Sequence, residues 1–220
     1  MISTLFAGFG LGASLIIAIG AQNLFVLRQG MRREHAVAVA VVCALSDAIL
    51  IVLGVSGIGL VLQAVPWLLD VVRWAGALFL AGYAVVAARR AWRPSGEALR
   101  VDASVEAIPD AAPAGARRAT ATATRRLAPV LLTCLALTWL NPHVYLDTVF
   151  LLGTVASTHG EERWIFAAGA VTASVVWFFA LALGARYLGR WLATPRAWRV
   201  LDGVIAVVML GLAVSLVLPH

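Results

Sequence analysis

Six long apolar stretches constrain the fold of this 220-residue chain more than any other feature. They cover roughly residues 3–27, 36–62, 70–92, 127–154, 163–186 and 199–218. Each is close in length to the ~20 mainly apolar residues that a helix needs to cross a bilayer. The apolar runs are continuous rather than alternating, which favours helices over a β-barrel. The sequence therefore predicts an all-α integral membrane protein with six transmembrane helices.

Composition supports a membrane environment. The chain is 62% hydrophobic and 13% charged, whereas a soluble domain carries about 25% charged residues. A soluble core of this size could not hide so much apolar surface, so lipid must solvate part of it. The first stretch has no basic residue before it and is uncharged from Ile2 to Leu27. It is longer than a signal-peptide core, so we interpret it as a retained helix.

The positions of the basic residues predict a topology. All 17 are arginines; 15 fall in the first, third and fifth loops of a six-helix arrangement, and only Arg73 and Arg163 fall on the other side. The positive-inside rule then makes the odd loops cytoplasmic and places both termini outside. A net charge of +6 needs no nucleic-acid partner, because topology accounts for it. Membrane lipid is a partner by the same reasoning.

The polar stretch 93–126 divides the chain into two apolar parts. It is rich in Ala, Pro, Thr and charged residues, and it cannot bury enough surface to offset the entropy of ordering. We expect a flexible cytoplasmic linker there, between a first three-helix repeat at 1–92 and a second at 127–220. Because three is odd, the repeats would insert with opposite orientation, as in inverted-repeat transporters.

Asp47 is the most informative polar residue of the second stretch. It lies 11 residues inside, which at about 1.5 Å per residue is close to the bilayer midplane. A charge at that depth costs about 2.5–3.5 kcal/mol. We interpret Asp47 as a carboxylate that binds a cation or a proton, the alternative being a protonated side chain bonded to a neighbouring helix. Ser46 beside it is a second candidate, or a serine bonded to its own helix.

Asn141, Pro142, His143 and Asp147 form a second polar cluster. Pro142 removes a backbone donor, so the helix should kink or break there. Broken helices build substrate sites near the midplane of transporters. His143 and Asp147 are four residues apart and would share a helix face, where they could relay protons or bind a cationic group. The alternative is a proline kink used only for packing.

Gln22 and Asn23 form a third cluster, near the end of the first predicted helix. Each amide carries donors and an acceptor, so it can bind both a carboxylate and an ammonium group. The alternative is hydrogen bonding between helices.

Other residue patterns carry no catalytic chemistry. Gly8 and Gly12 have the small-xxx-small spacing of a close helix contact, and such faces allow a homodimer without requiring one. Cys43 and Cys134 form no CxxC pair, so we predict neither a zinc site nor a disulfide framework. We predict no enzyme activity, no catalytic residues, no metal ligands and no cofactor.

Three stretches carry a family resemblance: GAQNLFVLRQG from Gly20, CALSDAILIVLG from Cys43 and TWLNPHVYLDTVFLLG from Thr138. They resemble the lysine exporter (LysE-type) family of bacterial basic amino-acid exporters over essentially the whole chain. The resemblance implies export of lysine or arginine across the bacterial inner membrane, driven by the proton gradient or the membrane potential. It also implies that Asp47, Asn141, Pro142 and Asp147 matter for transport.

The residues and the resemblance together predict a mechanism. Asp47 and Asp147 would bind the substrate cation and a proton, or another coupling ion, in turn, which makes the protein an antiporter. Gln22, Asn23 and the break at Asn141 would hold the α-amino and carboxylate groups. The alternatives are a neutral amino-acid or metal-cation exporter, a thiol-redox carrier that uses the two cysteines, and a purely structural protein.

Overall fold

The computed structural model describes residues 1–17, 20–33, 35–57, 66–92, 114–191 and 195–218. Four helices precede the central polar stretch: α1 Ile2–Ile16, α2 Ala21–Arg32, α3 Ala36–Val55 and α4 Pro66–Trp92. Four more helices begin within or after that stretch: α5 Ala114–Trp139, α6 Pro142–Ser157, α7 Arg163–Trp191 and α8 Pro195–Val217. The described residues contain no β-strand, which confirms the all-α prediction.

Four of these helices, α3, α4, α7 and α8, are each long and apolar enough to cross a membrane. Two helix pairs pass the same test only together: α1 with α2, bent by 83°, and Leu127–Trp139 of α5 with α6, bent by 57°. The described chain therefore has four candidate spans, or up to six if each bent pair is one span. The six predicted helices correspond to the upper count.

The first apolar stretch is not the single helix predicted over 3–27. Gly20 has an extended backbone (φ −121°, ψ 173°) and precedes a second helix that continues to Arg32. Glycine weakens a helix by about 1 kcal/mol relative to alanine, which makes it a suitable place for a break. Gln22 and Asn23 consequently lie at the beginning of α2, and not near the end of a helix.

Helix α5 begins at Ala114, inside the stretch that the sequence assigned to a linker at 93–126. Its first residues, AGARRATATAT, are rich in alanine, which has the highest helix propensity, so polarity alone did not prevent helix formation. The rest of the predicted linker, 93–113, lies outside the described residues. So does the end of the second predicted helix, 58–62.

Helix α7 packs along α1 and then along α2. A Cβ added to Gly8 would lie 2.0 Å from the carbonyl oxygen of Phe166, and one added to Gly12 would lie 2.9 Å from Cα of Ala170. Further along, Gly30 of α2 approaches Ala182 just as closely. The residue numbers rise together, so the contacts progress along α1, α2 and α7 in the same chain direction. The predicted close contact at Gly8 and Gly12 is confirmed.

Helix α3 runs parallel to α5 and α6 in a similar way. Cys43 of α3 contacts Cys134 of α5. Further along, Gly54 of α3 lies against the backbone of Thr148 and Gly153 in α6. Each bent pair is thus packed against one straight helix from the other part of the chain.

Helices α4 and α8 pack mainly against each other. Arg73, near the start of α4, donates to the carbonyl oxygens of Leu216, Val217 and Leu218 at the end of α8. Arg199, near the start of α8, donates in return to the Ala91 carbonyl at the end of α4, at 3.0 Å. The two helices are therefore antiparallel, and each arginine satisfies carbonyls that a helix end leaves unbonded.

We expect Gly8→Ala to lower the free energy of unfolding by about 1–3 kcal/mol, because the added methyl group forces α1 away from the backbone of α7. The change is measured by heating detergent-purified protein and monitoring its unfolding by size-exclusion chromatography. Gly10→Ala is the matched control, since a Cβ at Gly10 meets nothing within 4 Å. Equal stability of the two variants would contradict the α1–α7 packing.

Candidate functional site

A cavity of about 250 Å³ lies where the two bent helix pairs meet the α4–α8 pair. Six of the eight predicted site residues line it: Gln22, Asn23, Asp47, Asn141, His143 and Asp147. Apolar residues of the α4–α8 pair form the facing wall: Gly76, Phe79, Leu80, Leu212 and Leu216. The cavity thus combines polar groups at the helix breaks with an apolar surface opposite them.

Asp47 is 7% exposed and lines the cavity from α3. Its carboxylate accepts a hydrogen bond from Ser174 Oγ of α7 at 2.8 Å. Among the described residues it forms no ion pair with an arginine. A buried carboxylate without a basic partner is costly unless it binds a cation or a proton.

Ser46 and Pro142 are the two predicted site residues outside the cavity lining. Ser46 Oγ accepts a hydrogen bond from Trp139 Nε1 at 3.3 Å, so it joins α3 to the end of α5. Of the two neighbours on α3, only Asp47 lines the cavity, and Ser46 is directed towards Trp139. Pro142 is the first residue of α6. Proline has no backbone N–H, and at the start of a helix that N–H would have no partner within the helix.

The break between α1 and α2 is held by Asn23. Its Nδ2 donates to the Ile16 carbonyl at 2.8 Å, and its Oδ1 accepts from Trp177 Nε1 of α7 at 3.2 Å. Gln22 differs, because its buried Nε2 has no hydrogen-bond partner among the described residues. Asn23 therefore stabilises the break, whereas Gln22 takes no part in those bonds.

The break between α5 and α6 confirms the prediction made from Pro142. Asn141 has an extended backbone (φ −98°, ψ 108°), and its side chain accepts from the His143 amide at 3.1 Å, capping α6. Tyr145 donates its hydroxyl to the Trp139 carbonyl at 2.8 Å, at the end of α5. Residues Tyr145–Leu152 then form a π-helical segment within α6. Such segments are frequent at functional sites.

His143 and Asp147 both line the cavity from α6. His143 is exposed and Asp147 is half-buried. The cavity wall therefore includes two carboxylates, Asp47 and Asp147, on different helices. A charged ligand between them could interact with both α3 and α6.

The two cysteines come together although no CxxC spacing links them. Cys43 and Cys134 are both fully buried and unoxidised, with 3.0 Å between their Sγ atoms. They join α3 to α5, and neither lines the cavity. Among the described residues, no group of His, Cys, Asp or Glu could hold a metal ion.

Sequence reasoning missed three polar residues. Ser174, which bonds Asp47, is an isolated hydroxyl in the apolar α7. Arg28, assigned to the first loop, is instead buried in α2, where its Nη2 lies 2.9 Å from Oδ1 of Asp202 in α8. A carboxylate inside an apolar run was the criterion that identified Asp47, and Asp202 meets it too.

These features are those of a multi-pass membrane transport protein, in which polar groups at broken helices line a cavity within apolar spans. The sequence model of the LysE type translocator family matches residues 13–219. The chain belongs to this LysE family.

Relatives match over nearly the whole chain. The lysine exporter LysE of Corynebacterium efficiens is 44% identical over 220 residues, which covers 96% of each protein. The lysine exporter LysE of Corynebacterium glutamicum is 41% identical, covering 96% of this chain and 97% of the relative. The arginine exporter protein ArgO of Salmonella newport is 40% identical, covering 98% and 94%. No solved structure matches the chain.

Oxidation with copper phenanthroline should link Cys43 to Cys134, because the thiols are already in contact. With a protease site inserted in the 93–113 segment, the cleaved halves should stay together on a non-reducing gel and separate after reduction. Cys43→Ala is the control and should give separate halves. Separate halves from the oxidised parent protein would show that α3 and α5 do not meet here.

Proposed function

We propose that this protein is a secondary transporter that exports basic L-amino acids, L-lysine and L-arginine, across the bacterial inner membrane. The observation that carries the proposal is Asp47, a buried carboxylate on the cavity wall that forms no ion pair with any arginine in the described part of the chain. A cationic side chain would supply the missing positive charge. The relatives named as lysine exporters and as an arginine exporter agree with this charge preference.

Asp47 and Asp147 bind the side-chain cation of the substrate in this proposal. They lie on α3 and α6, at different parts of the cavity wall. Charge-assisted hydrogen bonds are about twice as strong as neutral ones. When the substrate leaves, a proton takes its place on the carboxylate, which couples export to the proton gradient or to the membrane potential.

The break before α2 binds the α-carboxylate of the substrate. The first amides of a helix have no partner within it, and the helix dipole makes that end electropositive. Gly20 gives α2 no side-chain cap, and Gln22 adds its unpartnered Nε2. The cavity would thus receive the anionic end of an amino acid at α2 and the cationic end at the two aspartates.

We also propose that the chain is an inverted repeat that works by alternating access, with the basic loops in the cytoplasm. Three observations support this arrangement. Both halves begin with a broken helix, each broken helix lies along the second helix of the other half, and Arg73 and Arg199 form reciprocal contacts between the two third helices. Such repeats exchange two conformations by moving one part of the molecule against another.

Asp47→Asn should reduce arginine export about ten- to hundredfold, because a charge-assisted hydrogen bond contributes about 1.5–3 kcal/mol. Arginine efflux from cells fed an arginine-containing dipeptide measures this. Asp70→Asn is the matched control, since Asp70 is exposed near the start of α4. Export at the parent rate by Asp47→Asn would overturn the assignment of Asp47.

Proteoliposomes should exchange labelled lysine and arginine, but not leucine or cadmium. A neutral side chain leaves the buried carboxylates unpaired, which costs at least about 1–3 kcal/mol per group. Counterflow of each labelled solute makes the comparison in one preparation. Exchange of leucine at the rate of lysine would favour a neutral amino-acid exporter, and exchange of cadmium alone a metal exporter.

A further inference from the structure

One face of α2 leads from the cavity to the α4–α8 pair. The first residues of α2 line the cavity, and the rest of the helix carries Phe25, Arg28 and Arg32 at intervals of three and four residues. Each contacts the α4–α8 pair: Phe25 packs edge-on against Tyr83, with ring centres 6.3 Å apart, Arg28 pairs with Asp202, and Arg32 lies 5.6 Å from the Trp198 ring centre.

These contacts join two bodies, the α4–α8 pair and the rest of the molecule, which also meet where Gly76 lies against the Leu140 carbonyl and in a shared apolar cluster. Helices α4 and α8 pack chiefly on each other, while the two bent pairs pack on α3 and α7. The cavity lies between the two bodies. A substrate that reaches the cavity from the Arg28 end must separate α2 from α8.

The central contact of this face is an ion pair with incomplete hydrogen bonding. The side chains of Arg28 and Asp202 are only 3% and 8% exposed. Nη2 of Arg28 and Oδ1 of Asp202 are 2.9 Å apart, but they lack the alignment of a hydrogen bond. Nε of Arg28 and Oε1 of Gln29 also have no hydrogen-bond partner among the described residues. Desolvation cancels much of the attraction in such a pair.

That balance suits a contact that opens and closes. Closed, the pair gains Coulomb attraction but leaves buried polar atoms unsatisfied; open, water would satisfy the same atoms. A contact whose two states are close in free energy can be shifted by a ligand that prefers one of them.

We propose that Arg28 and Asp202 are positioning residues of a gate, formed by the Phe25–Arg28–Arg32 face of α2 against α4 and α8, which closes the cytoplasmic end of the cavity. The gate opens when the α4–α8 pair moves as a unit away from the rest of the molecule. This inference rests on the proposed transport through the cavity, and it adds the moving parts and the contact that they break.

Thiol accessibility tests the gate without any substrate. In a Cys43→Ala, Cys134→Ala background, Leu212→Cys places a reporter on the cavity wall. A membrane-impermeant maleimide is applied to inside-out vesicles and to right-side-out spheroplasts. Asp202→Asn leaves Arg28 buried without its partner, so labelling from the cytoplasmic side should rise roughly tenfold or more. Asp70→Asn, the exposed control, should label at the parent rate.

Two further variants separate a gate from a merely structural pair. The exchanged pair Arg28→Asp, Asp202→Arg should return cytoplasmic labelling toward the parent rate. If Asp202→Asn does not accumulate as a folded protein, labelling of the Arg32→Gln variant tests the gate instead. Arg32 is exposed, and its replacement should raise cytoplasmic labelling by a smaller factor. Parent-rate labelling in Asp202→Asn, or in Arg32→Gln when that variant decides, would overturn the gate.

The outcome is independent of substrate identity. If counterflow shows a neutral amino acid instead of arginine, the proposed function fails while increased labelling in Asp202→Asn still supports the gate. If arginine is exported but labelling never changes, the function stands and the gate fails.

Discussion

A helix that breaks inside an apolar span leaves backbone groups without partners, and the rest of this structure depends on how they are satisfied. At the first break the Asn23 amide binds the Ile16 carbonyl and is held by Trp177. At the second, Tyr145 binds the Trp139 carbonyl, while Asn141 caps the next helix. Straight helices from the other half of the chain support both breaks, so the breaks and the packing stabilise each other.

The cavity follows from those breaks. Two helices that end inside the molecule cannot fill the space that a continuous helix would occupy, and their unbonded ends make that space polar. Within the described ranges, the carboxylate of Asp47 is bonded by the Ser174 hydroxyl and by no basic residue. A buried carboxylate of this kind is the group that the proposed binding of a cationic solute requires.

Local patterns in the sequence were sufficient to predict the all-helical class, the break at Pro142 and six of the residues on the cavity wall. Composition and proline act within one segment, so a single sequence shows their effect. The break at Gly20 was missed, since no proline marks it and the stretch stays uncharged on both sides of it. Ser174 was missed because its importance depends on a partner more than 100 residues away in sequence. Asp202 carries the same local signal as Asp47, and only its pairing with the distant Arg28 is absent from the local pattern. The contact of Cys43 with Cys134 was missed because these two residues are also far apart in sequence. Pairing between distant helices leaves little trace in a single sequence.

The exchange of helix partners between the two halves has a consequence for biosynthesis. α1 and α2 rest on α7, α3 rests on α5 and α6, and α4 shares its end contacts with α8. The first half therefore has no complete core of its own when it leaves the ribosome. Its Asp47 must remain in the bilayer or beside the insertion machinery until Ser174 emerges, so assembly of this protein is necessarily late and depends on the last helices to be made.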